Sequence, residues 1–306
     1  MFDINKITDI YCICDDFCKD FDEKISETAI EAPKYRGCGK RKPGITDSEI
    51  ITILIIFHTN TFRNFKHYYL FYVLPHLKAE FPSVPSYSRF VTLMKRVGVP
   101  LSFFIKLCLF GECTGISFVD STCIPVCHNK RIYNNKVFKG YATRGKSTMG
   151  WYFGFKLHLL CNERGELLNF VLTKANVDDR NDMVFSVFEE NLFGKLYADK
   201  GYISKSLFET LWQQDIHLVT GLRSNMKNKL MPIWDKIMLR KRSIIETIND
   251  ELKNVAQLVH SRHRSIDNFM INVLSTLAAY CCFDKKPAIN VDFIIDQEPK
   301  QLSIWG

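Results

Sequence analysis

The stretch Ile116-Ser117-Phe118-Val119-Asp120-Ser121-Thr122 constrains the fold more than any other. Apolar, β-favouring residues run straight into an acid, the pattern of a buried strand with a carboxylate at its carboxyl end. Desolvating an unpaired charge is costly. Asp120 is therefore either paired at the strand's end or the holder of a cation. The chain can build a core around such a strand, since 46% of its 306 residues are hydrophobic and 13% aromatic. That composition excludes a disordered chain and leaves room for one large domain or two ordinary ones.

The formal charge of +8 points toward a polyanionic partner. Met1-Phe2-Asp3-Ile4-Asn5-Lys6 has no signal-peptide pattern, and the most apolar early run, 50–57, is too short to span a bilayer. The expectation is an intracellular protein. Eleven cysteines include two groups, Cys12, Cys14, Cys18 and Cys123, Cys127, His128. Neither has the paired two-residue spacing of a zinc site, so reduced thiols acting as small hydrophobes are expected.

Residues 1 to about 30 read as helical, and 34–44 as an exposed basic loop. A capping box, Thr46-Asp47-Ser48-Glu49, opens a helix through 50–57. Further helices are expected over 62–77 and 86–97, the last carrying Arg89, Lys95 and Arg96. Three short helices with a basic last member suit either a helix-turn-helix-like DNA reader or a plain helical bundle with solvated charges. Gly98-Val99-Pro100 reads as a break, and 101–110 as a connecting helix.

From Gly115 the pattern turns to strands. After the Asp120 strand a long polar loop is expected. A strand over 151–161 then places Trp151, Phe153, Phe155, Leu157, Leu159 and Cys161 on one face. A turn at Asn162-Glu163-Arg164-Gly165 returns as a strand over 166–173. A helix over 181–190, a short strand ending at Asp199, a helix over 204–214 and a strand over 217–220 follow. A basic irregular stretch leads to an amphipathic helix over 243–260, with Ile245, Ile248, Leu252, Val255 and Val259 as its apolar stripe. The order implies an α/β fold, a mixed sheet flanked by helices. A packing helix is expected over 266–283, and the last twenty residues read as loosely held.

Three acids invite one explanation. Asp120 and Asp199 end strands, and Glu246 opens a helix that also carries Arg242, Asn249, Asp250 and Lys253. Hard divalent cations want such oxygen ligands, and a pair of them drives phosphoryl transfer. Each acid also has a plainer role: Asp120 capping a turn, Asp199 pairing with Lys200, Glu246 opposing the helix dipole. Asp178 and Asp179 are reserve ligands, or simply begin a helix. Between Ser121 and Asn162 there is no acid, while Lys130, Arg131, Lys136, Lys139, Arg144, Lys146 and Lys156 are all present. Residues 223–242 carry a second basic run. Such runs beside buried acids suit an approaching phosphate backbone. Tyr133, Tyr141, Trp151 and Trp234 are either stacking platforms for unpaired bases or packing residues.

These residues resemble insertion-sequence transposases of the 982 family, within the DDE group. The marks are Phe118-Val119-Asp120-Ser121-Thr122, Arg144-Gly145-Lys146-Ser147 (read as a loop), Gly154-Phe155-Lys156-Leu157-His158, Ala175 to Arg180, Ala198-Asp199-Lys200-Gly201-Tyr202, and Arg242, Glu246 and Lys253 in spacing. The related insertion-sequence 4 group has a tyrosine three residues before that arginine, where this chain has Leu239. The resemblance implies a ribonuclease H-like catalytic core over 113–265, after an all-α DNA-binding domain over 1–112 that reads terminal inverted repeats. A carboxy-terminal helix and tail over 266–306 complete the chain. It implies Asp120, Asp199 and Glu246 as catalytic ligands of two Mg²⁺ ions, with Mn²⁺ able to substitute. These carboxylates should then converge within a few ångströms. Arg242 and Lys253 would contact DNA phosphates, alongside Arg144, Lys146 and Lys156 from the basic runs. The expected partners are double-stranded DNA, as element ends and target, and a second copy pairing the two ends. The expected location is cytoplasmic and nucleoid-associated, in a prokaryote. The rival readings are a non-catalytic DNA-binding protein derived from a transposase, and a ribonuclease H-like nuclease without strand transfer.

Overall fold

The computed structural model describes residues 4–28, 44–60, 62–223, 226, 230–259 and 263–291. The chain divides into two compact units. One comprises Met1–Phe110, Tyr133–Lys139 and Glu251–Phe283; the other comprises Gly111–Ile132, Gly140–Asp250 and Asp284–Gly306.

In the first unit every described regular element is helical. Helix α1 (Ile4–Thr28) buries Ile7, Ile10, Cys14 and Phe17, three and four residues apart along one stripe. Helix α2 (Asp47–Thr59) is apolar almost all round, and Ile50 through Phe57 are buried without a break. The expected capping box is formed in both directions, Thr46 accepting from the Glu49 amide and Glu49 accepting from the Thr46 amide at 2.7 Å. Such a cap is worth about 1 kcal/mol. Helix α3 (Phe65–Tyr68) passes through a π-helical turn, Tyr69–Val73, into α4 (Leu74–His76). Pro75 has no N–H to donate and its ring crowds the preceding turn, which a wider π turn relieves. Helix α5 (Tyr87–Leu93) continues as a 3₁₀ turn. Phe57, Phe65, Tyr68, Tyr69 and Phe90 form an aromatic cluster with centroids 4.7–6.0 Å apart.

The expected break at Gly98-Val99-Pro100 is not found. Helix α6 (Gly98–Phe104) starts there, because proline in a first turn forgoes an N–H that has no intrahelical partner. A last helix, Ile266–Cys281, belongs to this unit and is buried along most of its length. The basic stretch through residue 43, Lys227, Lys229 and the tail from 292 lie outside the described residues.

The second unit is a mixed α/β structure on a six-stranded sheet. Its strands are β1 (Ile116–Cys127), β2 (Thr143–Ser147), β3 (Gly150–Asn162), β4 (Leu167–Lys174), β5 (Gly194–Ala198) and β6 (Ile216–Thr220). Their order is β2-β3-β1-β5-β6, with β4 also on β3. Strand β1 pairs antiparallel with β3 and parallel with β5, and β5 pairs parallel with β6. The β3–β4 turn closes as expected. Asn162 accepts from the Arg164 and Glu166 amides at 3.0 Å, and Gly165 takes the left-handed φ of +72°.

Two sequence expectations change here. Strand β1 runs on to Cys127, so Asp120 is an interior strand residue and not its terminus. Its second half, from Ser121, alternates and finds a full antiparallel partner in β3. The Arg144-Gly145-Lys146-Ser147 segment is strand β2 and not a loop. Two glycines permit this close layering. A Cβ on Gly154 would lie 2.0 Å from the Ile124 carbonyl oxygen, and one on Gly145 would lie 2.3 Å from that of Ala175.

Helices cover both faces of the sheet. Helices α7 (Asp182–Phe188) and α8 (Lys205–Trp212) pack Val184, Phe185, Phe188, Leu207 and Leu211 against Val119, Leu160 and Leu196. Helix α9 (Ile233–Lys241) occupies a stretch read as irregular, and α10 (Ser243–Asp250) follows it. On their face Phe118 stacks on Tyr197 at 5.6 Å, and Tyr197 and Lys195 both donate to Asp235 of α9, at 2.8 and 2.7 Å. The amphipathic helix expected over 243–260 instead turns into a π-helical segment, Glu251–Val255. The extra residue in that turn rotates the stripe, so Val255 is 52% exposed while Ala256 and Leu258 are buried.

Candidate active site

The parallel pairing of β1 with β5 sets the frame. Ile116, Ser117 and Phe118 lie beside Lys195, Leu196 and Tyr197. Carrying that register two residues on puts Asp199 level with Asp120, on the face shared by Phe118 and Tyr197. Asp199 follows directly on β5 and is exposed.

Asp120 opposes Leu159 and faces α10, where Asn249 donates to its Oδ2 at 3.2 Å. Burial pushes its carboxyl up to about 6; the Ser121 amide and Arg242 draw it down, and Glu246 and Asp179 push it up. It is a carboxylate short of positive charge. Glu246, one turn before Asn249, is turned toward Arg242, whose Nη2 donates to its Oε1 at 2.6 Å. Thus Asp120, Glu246 and Arg242 share one electrostatic neighbourhood, and Asp199 is aligned with it by register.

The expected convergence into a ready ligand cluster is not found. Among the described residues, no three His, Cys, Asp or Glu side chains gather closely enough to hold a metal ion. Glu246 instead satisfies Arg242, the lower-energy arrangement for acids that would otherwise repel. The donors still suit a hard divalent cation. All are carboxylate oxygens, one on β1, one just past the end of its parallel neighbour β5 and one on α10, and Asp120 pays a desolvation cost that a cation would offset.

The other predicted residues separate into groups. Strand alternation puts Arg144 and Lys146, opposite Phe153 and Trp151, on Asp120's face of the sheet. Both are exposed, and the Lys146 ammonium lies 6.0 Å from the Trp151 ring centroid. Lys156 lies on the opposite face. It contacts Asp179 at 3.0 Å and donates to the Val177 carbonyl at 2.8 Å. Lys253 sits on the π-helical segment, within the helical unit.

Asp178 belongs to a local clamp. It accepts from the Arg180 amide and, through both oxygens, from the Arg180 guanidinium, all at 2.8 Å, which holds its carboxyl well below the usual range. Asn181, not Asp178 or Asp179, caps α7. Asp179 also lies 3.8 Å from His158 Nδ1, an imidazole that burial holds to about 4 and so neutral. Lys146, Lys156, Arg180, Gly201 and Arg223 line a cleft of about 310 Å³ beside this pair.

Asn249 and Arg223 were not singled out as site residues from the sequence. Asn249 had a signal, its position three residues after Glu246 on one helix face. Arg223, which donates to the Lys200 carbonyl at 3.1 Å, had only membership of a basic run.

Solved structures similar to the chain include two transposase complexes. The piggyBac transposase synaptic complex with hairpin DNA is 12% identical, covers 79% of this chain and 69% of that one, and has a TM-score of 0.44. The Mos1 strand transfer complex is 11% identical, with coverage of 87% and 85% and a TM-score of 0.24. No curated protein matches the chain. Residues 110–266, just over half of the 306, match the family described as the transposase DDE domain, with Asp120, Asp199 and Glu246 all inside the match. The chain belongs to the transposase DDE domain family.

Proposed function

We propose that the chain is a DNA transposase that hydrolyses a phosphodiester at each end of a mobile element and joins the freed 3′-hydroxyl to target DNA. Family membership supports the class. The observation that carries the mechanism is Asp120, a partly buried strand carboxylate that faces Glu246's helix, with Asp199 just past the end of the neighbouring parallel strand β5. The antiparallel β4-β3-β1 run, extended by parallel β5 and β6 with helices on both faces, supports a ribonuclease H-like core. The marks quoted above support placement near the insertion-sequence 982 transposases.

Asp120, Asp199 and Glu246 would hold the divalent cations, Mg²⁺ by preference with Mn²⁺ substituting. Bound there, two such ions supply Lewis-acid activation of a water or 3′-hydroxyl and relief of charge on the leaving oxygen. The chain's own residues do the rest. Asn249 fixes the Asp120 carboxylate, and Arg242 holds Glu246 beside it until the substrate phosphate competes for the guanidinium. Arg144 and Lys146, on the same sheet face, steady the incoming backbone. Lys253 is a further phosphate contact in this reading, while Lys156 is first of all the counter-charge of Asp179. The helical unit would read the terminal inverted repeats, and two copies would pair the two ends. Among the described residues no helix is long and apolar enough to cross a membrane.

The test uses linear DNA carrying the element's ends. Asp120→Ala and Glu246→Gln should abolish Mg²⁺-dependent cleavage and the joining of pre-cut ends while leaving end binding intact. Wild-type cleavage by either variant would sink the assignment, and cleavage by the parent protein without any joining would leave a nuclease.

A further inference from the structure

The helical unit contains a pocket of about 890 Å³ that the catalytic reading does not use. Its size lies within the roughly 300–1,000 Å³ of small-ligand pockets. Arg63, Lys66 and Arg264 line it, all three exposed, and its described lining includes no acid. Among the described residues neither Arg63 nor Arg264 is within ion-pair distance of a carboxylate. Its wall presents the partly exposed rings of Phe65 and Tyr87, 6.4 Å apart, with the Lys66 ammonium 5.9 Å from the Tyr87 centroid. Asn268 and Asn272 also line it.

Exposed cations beside aromatic faces match two parts of one chemical class: an anionic phosphate and a planar base. We propose that this pocket receives a single unpaired nucleotide, its phosphate on Arg63, Lys66 and Arg264 and its base against Tyr87. A paired base inside a duplex cannot enter the pocket without leaving its stack. The occupant is therefore a nucleotide from a single-stranded or locally opened segment, or a free nucleoside monophosphate. The proposal deepens the transposase reading and rests on it only for the biological source of the ligand.

The test is fluorescence anisotropy on the full chain without divalent cations, using a labelled 12-nucleotide single strand and its duplex. Arg63→Ala with Arg264→Ala should weaken single-strand binding about tenfold, the scale of losing stacking or phosphate contacts. Because that loss alone would also follow from plain surface charge, Ser88→Trp is the deciding variant. Ser88 is exposed and lines the pocket, so an indole there fills the cavity without altering charge. It should weaken single-strand binding by a similar factor and leave duplex binding unchanged, with an unaltered melting temperature showing that the fold is intact. Competition by thymidine or deoxyadenosine monophosphate would assign a free nucleotide as sufficient, and failure to compete would assign a nucleotide within a strand. Parental single-strand affinity in Ser88→Trp would overturn the proposal. Asp120→Asn serves as the control for the other reading: cleavage that survives in it sinks the catalytic assignment and leaves the pocket standing.

Discussion

His58 in the helical unit and Asp120 in the sheet unit are both ionisable groups taken out of water, and the two units treat them in opposite ways. His58 is 2% exposed, its Nδ1 lies 2.7 Å from the Ala256 carbonyl, and burial holds it neutral with a pKa of about 4. The fold disposed of its charge. Asp120 is pushed up only to about 6, so at neutral pH it remains ionised, with the Ser121 amide, the Asn249 side chain at 3.2 Å and a partly diverted arginine for compensation. The fold kept that charge at a cost. A buried group made neutral and hydrogen-bonded is doing structural work, whereas one left charged and under-compensated marks where a ligand's charge is awaited.

The largest effect that would break this contrast is on activity. Asp120→Asn is expected to lower end cleavage at least about 10³-fold, measured on labelled element ends in Mg²⁺. Without metal the same variant should be more stable than the parent at pH 7, by about 1–3 kcal/mol, because it removes a charge held at a cost. Urea denaturation in chelator reads this, and a destabilised variant would mean that Asp120 is an ordinary structural acid. His58→Ala should do the reverse, losing about 2–4 kcal/mol of stability through a cavity and an unpaired carbonyl.

A smaller effect lies in pH dependence. The folded pKa of His58 is below its unfolded value, so its contribution falls as pH drops from about 6.5 toward 4. The folded pKa of Asp120 is above its unfolded value, so its penalty is absent below about 3.8 and complete above about 6. The two slopes oppose each other in nearly the same window, each at most about 1.4 kcal/mol per pH unit. Asp120→Asn should therefore make stability climb more steeply between pH 4 and 6 than it does in the parent. The smallest effect concerns the Arg242–Glu246 pair, kept in contact with water by its glutamate, whose side chain is 56% exposed against 18% for the arginine. Arg242→Gln should change stability by less than about 1 kcal/mol, and a larger loss in metal-free urea denaturation would make that arginine a structural anchor.

How much of this was legible depended on the range of the governing interaction. The Thr46–Glu49 capping box, the Asn162 turn and the α7 and α8 starts are local, and the residues that cause them sit within four positions of one another. The mixed α/β character of the sheet unit followed from alternation. The full length of β1 did not, because its second half is fixed by β3, whose register only the fold supplies. Strand β2 was hidden for the same reason. The π-helical turns defeated any reading at 3.6 residues per turn, which is why the stripe assigned through Val255 and Val259 failed past residue 250. At the candidate site, strand ends and helix faces pointed to Asp120, Asp199 and Glu246. The orientation of Glu246 toward Arg242 and the commitment of Lys156 to Asp179 are side-chain choices that no spacing encodes.

Gly154 and Gly145 carry a different kind of consequence. Each sits inside a mark by which the chain resembles its relatives, yet neither has a side chain to offer the reaction. Backbone oxygen lies 2.0 and 2.3 Å from where their Cβ atoms would be. Even alanine would wedge the layers apart, between β3 and β1 at Gly154 and between β2 and the Ala175 turn at Gly145, and so displace the strands that hold Asp120, Arg144 and Lys146. Part of the signature is thus a record of clearance, positions held empty so that neighbouring chemistry stays in register.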